Sequence, residues 1–410
     1  MKGFTTKAIH GGLAGGDPYG TLRMPVYDNV AFAHESARAI QLTFEGKKPA
    51  HAYSRISNPT VQDLELKIKL LSGSLGVLGV ASGMAAISNT ILALAEAGTN
   101  IVTTRHLFGN SLSLFEKTFG PWGLEVRHVD MDDAASIEGA IDANTRALFL
   151  ESITNPQLEV ADCAMVSAIT QRHKIPLIMD NTMMTPYLFN SKKAGVDIEV
   201  LSSTKYISGG ATSLGGMIID NGSFDWRNSP RLKESAKKIG PMAFLASLRQ
   251  EVFRNVGACM SPHNAYLQSL GLESMALRID KSCDNSMKLA GYLQNHPQVT
   301  RVGYPGLADS KFHGIAKKQF KNRFGGLLTF ELASPEACFR FIDAMTLIKR
   351  ATNVNDNKTL IIHPFSTIFA EYSAADKEAM GVPPTMIRLS VGIEDHDDLI
   401  DDLDRGFSAL

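Results

Sequence analysis

"EVLSSTKYISGG", Glu199 to Gly210, runs an apolar segment into a single lysine, Lys205, set among hydroxyls and followed by two glycines. A surface lysine needs no such setting, whereas a lysine that condenses with a phosphate-bearing aldehyde does. The segment reads as a strand whose carboxyl end delivers Lys205. In open α/β sheets, ligands bind beyond the carboxyl ends of the strands.

The flanking sequence supports that reading. "LGVLGVA", "NIVTT", "LEVRHVD", "RALFLES", "PLIMDN", "IEVLSS" and "LGGMIID" are strand-like, and helical stretches such as "GMAAISNTILALAEAG" and "VSAITQRHK" lie between them. This alternation predicts a mostly parallel seven-stranded sheet flanked by helices, an α/β fold. "SNPTVQDLELKIKLLSG" reads as a helix capped by Asn58, with Pro59 in its first turn and Gly73 after its end. Val61, Leu64, Ile68 and Leu71 form its apolar face.

Three regions follow from this pattern: an arm with short elements over 1–60, a large domain over 61–258, and a smaller C-terminal α+β domain over 259–410. The last contains a long helical stretch from His263, strand-like "TRVGYP", "GGLLTFEL" and "TMIRLSVG", and helical "PEACFRFIDAMTL". Its acidic end, "EDHDDLIDDLDRGFSAL", reads as a helix with a solvated charged face.

Composition narrows the function. The 410 residues carry 41 basic and 42 acidic side chains, and the formal net charge of −1 gives no reason to expect nucleic acid or an acidic membrane as partner. The four cysteines form no C-x-x-C pair, so neither a zinc site nor a disulfide framework is expected. No signal-peptide pattern or membrane-length apolar run is present, and a cytoplasmic protein is expected.

Asp180 ends "PLIMDN", 25 residues before Lys205, with one helix and one strand between them. Two strand ends can therefore offer one cleft a carboxylate and an amine. An acid on a pyridine nitrogen and a lysine on an aldehyde are what pyridoxal 5'-phosphate needs. In "VASGMAAI", Ser82 and Gly83 open a helix, where backbone N–H groups favour a phosphate; Ser202 and Thr204 add hydroxyls. Small residues open many helices, so this segment counts only in combination. Tyr53 and Arg55 in "HAYSRISNPT" offer an aromatic ring and a forked phosphate donor. Arg388 sits in the apolar run "TMIRLSVG" and needs an anionic partner, either a structural acid or a substrate carboxylate. No G-x-G-x-x-G occurs, which argues against a nicotinamide-dependent dehydrogenase; a non-catalytic ligand-binding protein does not explain Asp180 and Lys205 together.

These motifs, with "LFGNSLSLF", "ESITNP", "DNTMMTPYL" and "IIHPFST", resemble the Cys/Met-metabolism branch of fold-type I pyridoxal-phosphate enzymes. That branch holds cystathionine synthases and lyases, methionine γ-lyases and acylhomoserine sulfhydrylases. The resemblance implies that Lys205 joins the cofactor and later carries protons, and that Asp180 keeps the ring nitrogen protonated. It implies phosphate contacts from Ser82, Gly83, Met84, Ser202 and Thr204, and from Tyr53 and Arg55 of a neighbouring subunit. Tyr53 is also a candidate proton donor. A homotetramer of active-site-sharing dimers is implied. Asn155 is placed at the ring's phenolic oxygen, and Arg388 and Asn353 at the substrate carboxylate.

Phe108 stands where the family commonly stacks a tyrosine on the ring. It can stack but cannot protonate a leaving group. A thiol with pKa about 8.5 needs that proton more than an acid with pKa about 4.3. The expected reaction is therefore γ-replacement on an O-acylhomoserine by sulfide or a thiol, as in the O-acetylhomoserine sulfhydrylase group. The sulfur donor can be free sulfide, a thiol or a carrier protein. Cystathionine γ-synthase or γ-lyase is the next reading and methionine γ-lyase the third; Asn110 replaces the cysteine typical of the last. Asn355 replaces an expected glycine.

Overall fold

The computed structural model describes residues 1–13, 17 and 19–410. The helix Pro59–Ser72 is built by local chemistry. The Asn58 side chain accepts the Thr60 N–H at 2.9 Å, and Gly73 ends the helix with φ at 69°. Val61, Leu64, Ile68 and Leu71 are all buried.

All seven expected strands form: β1 (Gly76–Val80), β2 (Asn100–Thr103), β3 (Glu125–His128), β4 (Thr145–Glu151), β5 (Leu177–Asp180), β6 (Ile198–Leu201) and β7 (Gly216–Asp220). They make one sheet in the order β1-β7-β6-β5-β4-β2-β3. The run from β6 to β3 is parallel, and β7 is antiparallel to both its neighbours. Side chains alternate between two cores. Ala147, Phe149, Ile178 and Val200 pack on one face, and Leu148, Leu150, Leu177 and Leu201 on the other. Burial on both faces is why these strands read as continuous apolar runs. The ends of β4, β5 and β6 lie side by side, with Glu151 opposite Asp180 and Asp180 opposite Val200.

A 33-residue helix, Pro262–Gln294, leads to a second sheet. Its strands are β8 (Arg301–Gly303), β9 (Leu327–Glu331), β10 (Lys349–Arg350), β11 (Leu360–Ile362) and β12 (Met386–Ser390), in the order β10-β11-β12-β9-β8. Three of these strands were expected from sequence; β10 and β11 were not. They are two and three residues long, too short for a visible alternation, and exist by pairing with each other and with β12. Arg388 lies at the middle of β12, between Ile362 and Thr329.

One expectation needs adjustment. The acidic helix His396–Ser408 is not solvated throughout. Asp402 is buried, accepting the N–H groups of Thr346, Leu347 and Ile348 at 2.8–3.2 Å. A carboxylate that satisfies an otherwise orphaned turn is stable inside. The stretch before residue 60 holds two helices, Phe4–His10 and Ala37–Phe44, and a bridge between Ala31 and Tyr53. Among the described residues, no helix is long and apolar enough to cross a membrane, and no group of three or more His, Cys, Asp or Glu is placed to hold a metal.

Candidate active site

A cavity of about 370 Å³ opens beyond the ends of β4, β5 and β6 and against β12. It gathers Asp180, Ser202, Thr204 and Lys205 from the first sheet with Arg388 from the second. Ser82, Gly83 and Met84 at the helix Gly83–Leu94, and Phe108 and Asn155 from loops, complete it. Asn353 reaches it by hydrogen bonding to Lys205.

At one end, the Ser82 hydroxyl caps the helix by accepting the Ala85 N–H at 3.1 Å. Its proton is still available to an anion. A Cβ at position 83 would come within 2.6 Å of the Ser202 Cβ, so only glycine lets these two segments approach. The Thr204 hydroxyl is already committed: it donates to the Gly215 carbonyl at 3.2 Å and accepts the Gly215 N–H at 3.0 Å.

In the middle, the Lys205 amine donates to Asn353 Oδ1 at 2.5 Å. Burial pulls its pKa down to about 8, helped by the positive Arg388 and opposed by Asp356. Asp180 faces the cavity, its Oδ1 accepting the Thr182 N–H at 2.9 Å, and burial raises its pKa. Phe108 is held by its own N–H, which donates to Glu151 Oε1 at 2.7 Å.

For Arg388 the sequence leaves two partners open, a structural acid or a substrate carboxylate. Arg388 is 1% exposed, yet among the described residues it forms no ion pair. Its guanidinium donates to Asn155 Oδ1 at 3.0 Å and to the backbone carbonyls of Thr352 and Asn353 at 3.3 and 3.2 Å; its Nε has no partner. Burial depresses its pKa to about 9. A desolvated cation beside a cavity, with a donor unused, suits an incoming carboxylate.

Tyr53 and Arg55 do not join this cavity. Both are exposed; the Arg55 guanidinium lies 5.4 Å from the Tyr53 ring centroid and donates to the Arg254 carbonyl. Asn355 adopts φ of 55°, the left-handed conformation that glycine favours and asparagine tolerates. Its N–H donates to Ser390 Oγ at 2.7 Å, so the loop keeps its turn despite the substitution. Glu151 was not singled out from sequence. Its signal is an acid closing the otherwise apolar strand "RALFLE", in line with Asp180.

An amine with a pKa near 8 is partly neutral at physiological pH and can condense with an aldehyde. The acid, the glycine-lined helix start and the hydroxyls around it match a ring nitrogen and a phosphate. The class of protein defined by this fold and cavity is the pyridoxal-phosphate-dependent enzyme. The chain belongs to the Cys/Met metabolism PLP-dependent enzymes, whose family model matches residues 5–408. It is 47% identical to the O-acetylhomoserine sulfhydrylase of Wolinella succinogenes, with a TM-score of 0.80, covering 99% of this chain and 100% of that one. A Campylobacter jejuni structure described as an O-acetylhomoserine (thiol)-lyase, bearing a pyridoxyl-lysine phosphate, is 35% identical with a TM-score of 0.93, covering 99% of each chain. The O-acetyl-L-homoserine sulfhydrylase of Corynebacterium glutamicum is 35% identical over 425 residues, 100% of this chain and 97% of that protein.

Proposed function

We propose that the protein catalyses γ-replacement on an O-acylhomoserine, foremost O-acetylhomoserine, using sulfide or another thiol to form homocysteine or a related thioether. One observation carries the reading. Asn353 bonds both Lys205, through its side chain, and Arg388, through its backbone carbonyl. An amino acid whose carboxylate rests on Arg388 therefore presents its α-carbon to the Lys205 amine.

When bound, the cofactor supplies an electron sink for the carbanion formed at that carbon. Asp180 holds the ring nitrogen protonated. Lys205 would take the α-proton and deliver it to the bound cofactor, which returns the amine to its neutral form; it would then take a proton at Cβ, and the acyl group leaves from Cγ as a carboxylate. Phe108 covers the ring and offers no acid, which a carboxylate leaving group does not need. Sulfur then adds at Cγ, and Lys205 returns the protons. Ser82, Gly83, Met84 and Ser202 would bind the phosphate and Asn155 would contact the ring's phenolic oxygen, whereas Thr204, also expected at the phosphate, spends its hydroxyl and its N–H on Gly215.

The same reading divides the chain into an arm (1–60), a cofactor domain (61–258) and a C-terminal domain (259–410). The arm lends Tyr53 and Arg55 to a neighbouring copy in a homotetramer built from dimers. Their exposure and their absence from the lining of the cavity in their own chain support this. The setting is cytoplasmic methionine biosynthesis.

The test is a product assay on the holoenzyme with O-acetylhomoserine, O-succinylhomoserine, cystathionine and methionine, each with and without sulfide. Homocysteine from an acyl substrate only when sulfide is present is the expected result. Ammonia and 2-oxobutyrate from cystathionine or methionine without sulfide would make the protein a lyase instead.

A further inference from the structure

Glu151 ends β4 directly opposite Asp180 and is 5% exposed. It lines the active-site cavity and also a second cavity of about 400 Å³ on its other side. No ion pair holds it among the described residues. Its Oε1 accepts the Phe108 N–H at 2.7 Å, and the backbone N–H of Asn155 lies near enough to the same carboxyl to favour its charged form. Phe108 and Asn155 lie on different loops, after β2 and after β4. Glu151 thus bonds the first loop and lies against the second.

We propose that Glu151 is a positioning residue, a buried clamp that fixes Phe108 against the cofactor ring and Asn155 beside it. The inference deepens the assignment of the cavity to pyridoxal phosphate and is independent of the substrate. Two carboxyls side by side in a buried wall do not both ionise. Burial and the nearby Asp180 raise the Glu151 pKa well above the ordinary value. With the ring nitrogen against Asp180, the charge resides on Asp180, and Glu151 stays neutral. A neutral carboxyl still accepts backbone N–H groups through its carbonyl oxygen. Glutamine is then a faithful replacement, and alanine is not.

The experiment compares wild type, Glu151→Gln and Glu151→Ala as purified proteins reconstituted with pyridoxal phosphate. It reads the induced circular dichroism of the bound chromophore, which reports ring orientation, and the cofactor dissociation constant. Glu151→Ala is expected to lose most of the induced signal and to bind the cofactor about tenfold more weakly, the scale of a lost hydrogen bond to an acid. Glu151→Gln is expected within about twofold of wild type, the spread of an exchanged neutral acceptor. An alanine variant indistinguishable from wild type overturns the clamp, and so does a glutamine variant as impaired as alanine. If the alanine variant does not fold, Glu151→Asp decides. It withdraws the carboxyl by one methylene from the Phe108 N–H, and an unchanged induced signal would overturn the proposal. None of these readouts needs a substrate, so they stand apart from the γ-replacement assay.

Discussion

The Lys205 amine and Asn353 Oδ1 meet at 2.5 Å, although 148 residues separate them in the chain. Asn353 Nδ2 in turn donates to Asp356 at 3.1 Å, which orients the amide. The lysine thus has a defined position before any ligand arrives, and the loop between β10 and β11 supplies it. Lys205→Ala is expected to reduce turnover of O-acetylhomoserine with sulfide by at least about a thousandfold, the scale of a lost acid–base group and its covalent role. Mixing that variant with Arg55→Ala after subunit exchange should restore roughly a quarter of wild-type activity. Half the dimers are then mixed, and each holds one intact site. No recovery in an exchanged mixture would place Arg55 outside its neighbour's site.

Arg388 carries an uncompensated buried charge. Arg388→Met should lower kcat/KM for the amino-acid substrate by on the order of a hundredfold, mostly through KM. It should also stabilise the cofactor-free protein by about 1–3 kcal/mol, because the desolvation cost of the guanidinium disappears. Steady-state kinetics and denaturant melts check the two effects. A destabilised variant would mean that the three carbonyl contacts outweigh the cost of burial.

Phe108→Tyr should accelerate elimination from cystathionine more than replacement on O-acetylhomoserine. The new hydroxyl helps a thiolate leave and does little for a carboxylate. Parallel rate measurements on both substrates decide, and an equal effect on the two would remove the leaving-group argument.

Glu199 lies buried beneath the site on β6, accepting the Asn181 amide at 3.0 Å and the Ser191 hydroxyl. Burial raises its pKa from 4.5 to about 7. The folded state therefore holds a proton that the unfolded chain releases between those values, and stability falls as pH rises from about 4.5 through about 7. Glu199→Gln removes this loss. Its advantage in denaturant melts should be near zero at pH 4 and reach about 3 kcal/mol above pH 7, by linkage. A pH-independent difference would assign the effect to packing.

Much of the first sheet is legible in the sequence. Each strand is a short apolar run bounded by turn residues, and several helices carry their own caps, as at Asn58 and Ser82. β10 and β11 were illegible because two or three residues carry no periodicity, and pairing alone makes them strands. The charges of the last helix read as a solvated face, because a sequence shows the charge of Asp402 and not the three N–H groups that receive it.

The site divides along the same line. Lys205, Asp180 and Gly83 could be identified in the chain because their chemistry is intrinsic and their places at strand and helix ends follow from local pattern; Phe108 stood out only through the family resemblance. The state of Arg388 could not. Whether it meets a structural acid or an open cavity depends on Asn155, 233 residues away, and on the path of the 352–353 backbone. The same holds for Glu151, an unremarked acid at a strand end until sheet register sets it against Asp180. Local sequence determines which groups exist and which element bears them. Burial, pairing and proton affinity arise from contacts between distant segments, so only the folded chain decides them.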